Sequence, residues 1–108
     1  MKTPKAFLGT WRIVETKLWD TDALDLIAPA HITFNEDGLG SFQVVAIQGE
    51  IDPRFYGRRV EFSWAGDDEG SEVNGRGWAQ VSTDGKLRGR FFLHRGDESS
   101  FVAKRKMA

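Results

Sequence analysis

Apolar and polar residues alternate through most of the chain, and only one segment follows a helical spacing. The first strand is read from Leu8 to about Leu18, with Trp11 and Ile13 on one face and Thr10, Arg12, Val14, Thr16 and Leu18 on the other. Its apolar preference changes face near Val14, as a β-bulge or sharp bend would require, because one extra residue reverses every later side chain. The helical segment is Asp20 to Ala28, about two turns, with Asp20 or Thr21 as cap, acids near the positive end of the dipole and Pro29 as its stop. A strand His31 to Asn35 leads through Asn35-Glu36-Asp37-Gly38 into a long returning strand, Leu39 to about Ile51. The contiguous Val44, Val45, Ala46 and Ile47 predict that both faces of this strand are covered, with a bend near Gln48-Gly49.

Asp52 to Arg58 reads as a loop or wide turn, and Val60, Phe62 and Trp64 alternate with Arg59, Glu61 and Ser63 as a one-sided strand. Ala65 to Asn74 reads as an acidic loop, followed by strands Gly75 to Ser82, Lys86 to His94 and Ser100 to about Lys106. Seven strands emerge directly. The expected fold is all-β: a small antiparallel meander barrel of about seven to eight strands, with one short helix after the first strand, since closure removes exposed edges. At 108 residues and 12.2 kDa the chain supports one domain, 1–108.

The turn Thr83-Asp84-Gly85 sets the sharpest inference. With Gly85 as the left-handed residue of a three-residue loop, Ser82 pairs with Lys86, Val81 with Leu87, Ala79 with Gly89 and Gly77 with Phe91. The opposite face then places Gln80 across from Arg88, Trp78 across from Arg90 and Arg76 across from Phe92. A two-residue loop would mix polar and apolar partners on both faces, so the first register is preferred. Arg76, Trp78, Arg88, Arg90 and Phe92 are the candidate ligand-binding residues, because alternating guanidinium and aromatic groups grip a carboxylate or phosphate carried on an apolar body. The plainer reading of the same residues is a surface cross-strand cation–π pair between Trp78 and Arg90. Facing inward, this face would line an anion-binding interior; facing outward, it would be a partner surface.

Fifteen Lys and Arg against sixteen Asp and Glu give a formal charge of -1, so no global basic field gathers nucleic acid or an anionic membrane. The absence of Cys excludes disulfides, thiolate zinc sites and Cys nucleophiles. The start of the chain, Met1 to Gly9, is basic but reaches no signal-peptide apolar run, and no stretch approaches a membrane span, which points to a cytoplasmic protein. Asp20-x-Asp22-x-x-Asp25 fails as a calcium loop because Asp25 stands where the turn glycine belongs and His31 where the final glutamate belongs. The acidic Asp67, Asp68, Glu69 and Glu72 fit a solvated loop, and nothing in their spacing brings His31 and His94 together, so neither metal nor cofactor is expected. Arg95-Gly96-Asp97 fits turn chemistry, and no nucleophile elbow, Walker A loop or dinucleotide glycine motif is present.

Leu8-Gly9-Thr10-Trp11-Arg12-Ile13 resembles the Gly-x-Trp opening of the calycin barrels, which include lipocalins, fatty-acid-binding proteins and avidins. The resemblance implies a closed barrel, with Arg105 of the last strand stacked on Trp11. A closer likeness is to a small bacterial family of single-domain proteins without an established activity. It is carried by Gly9-Thr10-Trp11-Arg12-Ile13, Trp19-Asp20, Gln48-Gly49-Glu50-Ile51-Asp52, Val60-Glu61-Phe62-Ser63-Trp64 and Gly75-Arg76-Gly77-Trp78-Ala79, with Asp84-Gly85, His94 and Gly96-Asp97 behind them. That likeness implies a fold and no reaction.

These readings converge on a non-enzymatic binding module for a small anionic or amphipathic ligand. The alternative is a protein-interaction or self-association module in which Trp78 anchors a homodimer. A third reading is an enzyme using carboxylates such as Glu50 with Asp52 or Glu61.

Overall fold

A computed structural model describes residues 2–106, so that Met1 of the basic N-terminal stretch lies outside the described residues. Eight antiparallel strands form a closed barrel in simple sequence order: β1 (Gly9–Thr16), β2 (His31–Phe34), β3 (Gly40–Val44), β4 (Ile47–Tyr56), β5 (Arg59–Asp68), β6 (Ser71–Val81), β7 (Leu87–Leu93) and β8 (Glu98–Arg105), with β8 returning to β1. One turn of helix, α1 (Thr21–Leu24), follows β1.

Several boundaries differ from the sequence expectation, each for a physical reason. The helix stops after one turn because Asp25 leaves it to bind the Arg12 guanidinium and the Ala30 amide, and because Leu26 and Ile27 find no core, being 60% and 59% exposed. The long strand from Leu39 to Ile51 is in fact a hairpin, with Val44 opposite Ile47 and a turn at Val45-Ala46. Asp52 to Tyr56 is not a loop but the second half of β4, paired residue by residue with β5 down to Tyr56 opposite Arg59. The acidic loop is likewise the end of a continuous β5–β6 hairpin that turns at Glu69-Gly70.

The register shift between β1 and β8 falls between Ile13 and Glu15, so Val14 is the extra residue and lies where the apolar preference changes face. Arg105 of β8 stacks over the Trp11 ring at 4.3 Å from its centroid. The same guanidinium donates to the carbonyls of Leu8 and Ala6, while the Trp11 indole donates to the Phe7 carbonyl at 2.9 Å. These bonds seat Phe7 under the barrel, where it meets Phe34 at 5.7 Å and Phe55 at 5.2 Å.

Side chains occupy the barrel axis, one of the two fillings that an eight-stranded barrel allows. Phe91 stacks on Phe101 at 4.4 Å and on Phe42 at 5.0 Å, and Trp64 meets Phe42 edge-on at 5.0 Å. Room for these rings comes from inward-facing glycines. At Gly75 a Cβ would run into the Phe92 carbonyl oxygen and come within 2.9 Å of Trp64 Nε1, so only glycine lets the indole lie flush against the β6–β7 ladder. Trp64 Nε1 is buried there without a hydrogen-bond partner among the described residues.

Candidate functional site

The β6–β7 register is the one that a three-residue loop ending in left-handed Gly85 dictates. Gly85 has φ +84°, the Ser82 amide donates to the Lys86 carbonyl at 2.8 Å, and Trp78 faces Arg90, Arg76 faces Phe92 and Gln80 faces Arg88. Ala79, Leu87 and Phe91 are buried in the barrel, so the face carrying Arg76, Trp78, Arg88, Arg90 and Phe92 points outward. It lines no interior anion site. The reason is volume: the inner face carries the buried Ala79, Leu87 and Phe91, and a Cβ at inward-facing Gly77 would run into the Phe62 ring that fills the space beside it.

On the outside, β4 and β5 extend the same face. Their outward residues Asp52, Arg54, Tyr56, Arg59, Glu61 and Ser63 join Arg76, Trp78 and Phe92 around a groove of about 500 Å³. Strand pairing puts Ser63 beside Arg76 and Glu61 beside Trp78. The β4 contributors were hidden in the sequence because Asp52-Pro53 reads as a loop signal, although the alternation Asp52, Arg54, Tyr56 around buried Pro53 was the trace of a strand; Arg59, Glu61 and Ser63 were legible as the polar face of β5, but not their place beside β6. Arg88 and Arg90 stand on the same face outside this lining.

Trp78 stands opposite Arg90 in the β6–β7 ladder, yet Arg90 does not stack on its ring. The guanidinium over its ring belongs to Arg59, at 4.5 Å from the centroid, while Arg90 reaches Glu98 at 3.4 Å. The partner comes from β5 because Arg59, two residues along from Glu61 directly opposite Trp78, is the same-face diagonal neighbour of the ring. Arg54 pairs with Asp52 at 2.5 Å, Arg59 with Glu61 at 3.1 Å, and Arg88 with Asp84 through both guanidinium nitrogens at 3.0 and 3.1 Å. The Arg88 pair holds the Asp84 carboxyl down at about 2, helped by the Lys86 amide.

Arg76 is different. Its guanidinium stacks on Phe92 at 4.4 Å, and among the described residues it has no carboxylate within ion-pair distance and no hydrogen-bond acceptor. Of the arginines on the outward face of β4 to β7, it alone keeps its donors uncommitted among the described residues. Every cation on this face is an arginine; Lys86 lies in the turn before β7. A planar fork of donors fixed by stacking is suited to bidentate capture of a carboxylate or similar oxyanion.

Other constellations carry less. Glu50 and Asp52 are exposed, two residues apart on β4, and Glu50 stands opposite Ser41 and Ala65. His31 bonds the Pro29 carbonyl through Nδ1 at 2.8 Å, and among the described residues no three His, Asp or Glu side chains converge as metal ligands. No helix among the described residues is long and apolar enough to cross a membrane. No family model, no curated protein and no solved structure matches the chain, so the groove is read from its own chemistry.

Proposed function

We propose that this protein is a binding module that recognises an anionic group carried on an apolar body, and that it does so on the outside of the barrel. One observation carries the reading: Arg76, stacked on Phe92 in an outer groove, is the face's one guanidinium without a partner among the described residues, whereas the interior is occupied by stacked rings. Tyr56, 61% exposed, supplies apolar contact beside it, and Trp78 borders the groove with Arg59 stacked over its ring. The Gly-x-Trp opening and the Arg105–Trp11 stack support a calycin-like reading of the barrel, with recognition moved from the cup to the wall.

The test is titration with the fluorescent monoanion 1-anilinonaphthalene-8-sulfonate. Wild type should enhance its emission, and the Arg76→Ala/Trp78→Ala variant should lose the enhancement while keeping its circular dichroism. Equal enhancement in the variant would contradict the reading.

Self-association through the same face is the second reading, favoured by its arginine and aromatic composition, which interfaces concentrate. Two copies meeting squarely would oppose unpaired Arg76 residues, which disfavours a face-to-face pair. A monomer persisting at high concentration in sedimentation would count against it.

A further inference from the structure

The charge arrangement of the groove goes one step further, resting on the outer-surface reading above. We infer that the groove selects a small organic monocarboxylate and discriminates against a dianionic phosphate on the same apolar body. Three arginines, Arg54, Arg59 and Arg76, line it with two carboxylates, Asp52 and Glu61, leaving one net positive charge. Two of the guanidiniums are already neutralised, Arg54 by Asp52 and Arg59 by Glu61, and the single surplus charge is located on Arg76.

A carboxylate offers two oxygens in one plane and one charge, which matches one guanidinium fork. Ser63, directly across the ladder from Arg76, adds a neutral hydroxyl donor. The second negative charge of a phosphate dianion would meet no second free cation. It would instead face the Asp52 and Glu61 oxygens lining the same groove, and drawing Arg54 or Arg59 away would strand one of those carboxylates. The apolar body lies beside Tyr56 and against the outer planes of the stacked guanidiniums, because the exposed faces of Trp78 and Phe92 are engaged by Arg59 and Arg76.

The same logic names the residue that sets the discrimination. Glu61 holds Arg59; neutralising Glu61 frees a second guanidinium and raises the groove's net charge by one. Glu61 is exposed, so this change leaves the core untouched.

The experiment is a backbone amide NMR titration of the full chain at pH 8 with phenylacetate, phenyl phosphate and phenylacetamide, in wild type and in Glu61→Gln. At that pH phenyl phosphate is dianionic. In wild type, phenylacetate should shift the amides of Ser63, Arg76 and Trp78, phenyl phosphate should bind at least about tenfold more weakly, a difference in the range of one unpaired charge, and phenylacetamide should shift none of them. Glu61→Gln should bring the two anions level or reverse their order. Phenyl phosphate binding wild type as tightly as phenylacetate at the same amides would overturn the monoanion inference and leave the surface reading standing, as would an unchanged ratio in Glu61→Gln. Failure of both anions to move these amides would overturn the surface reading itself.

Discussion

Arg105 and Trp11 join the last strand to the first: the guanidinium lies 4.3 Å over the indole ring, and its nitrogens donate to the Ala6 and Leu8 carbonyls. The barrel is thus closed twice at this seam, once by the β1–β8 ladder and once by a side chain that also pins the segment carrying Phe7.

Arg105→Ala should therefore destabilise the fold by about 1–3 kcal/mol, combining a cation–π contact with two charge-assisted hydrogen bonds at a half-open site. Arg105→Lys should recover only part of the loss, since an ammonium cannot stack and bond both carbonyls together. Urea midpoints of the three proteins check this; equal midpoints for Arg105→Ala and wild type would contradict it.

Asp25 supplies a pH dependence. The Arg12 guanidinium, then the Ala30 amide, hold its carboxyl down at about 2. A group with a depressed native pKa stabilises the fold above its unfolded value near 4, and that contribution disappears as pH falls from about 4 toward 2. The pair is more than a third exposed, so solvent screening limits its worth to roughly 0.5–1 kcal/mol. Asp25→Asn should show lower stability at pH 7 and a flatter decline between pH 4 and 2 than wild type, measured by urea unfolding across that range.

Gly75→Ala should destabilise by roughly 2–4 kcal/mol, because its Cβ meets the backbone carbonyl of Phe92 and the rigid indole of Trp64, neither of which can rotate away. Gly70→Ala is the contrast: its Cβ would meet nothing within 4 Å, and the cost is confined to a left-handed φ of +90°. Thermal unfolding of both variants separates packing from backbone strain.

The parts of the fold legible in the sequence are those where local chemistry and tertiary need agree. Thr83-Asp84-Gly85 fixes the β6–β7 register through a glycine that must be left-handed, and the change of apolar face at Val14 marks the β1 bulge. What could not be read is where tertiary contacts override local signals. The β3–β4 turn is built from Val45, a β-branched residue at φ +56°. Its amide donates to the Leu24 carbonyl at 2.9 Å and its side chain packs on the core, so α1 stabilises a turn that its own residues do not announce. Pro53 sits inside β4 because the β3–β4 pairing stops at Gly40–Ile51, the first residue of β3, leaving β4 bonded beyond it to β5.

The site divides the same way. Which residues of β6 and β7 share a face followed from pairing, but which way that face points depended on interior volume. The partner of Trp78 came from β5, a strand whose register with β6 is set by the two-residue Glu69-Gly70 turn, a signal masked in the sequence by the surrounding run of acids.

The central claim, that recognition takes place on the wall of the barrel and not within it, is tested most directly with the four tryptophans. Trp11 and Trp64 are buried at 1% and 3% exposure, Trp19 lies by the segment leading to α1, and Trp78 borders the groove. Fluorine NMR of protein labelled with 5-fluorotryptophan, titrated with phenylacetate, should shift the Trp78 resonance and leave those of Trp11 and Trp64 in place. Shifts at Trp11 or Trp64 with Trp78 unmoved would contradict the account.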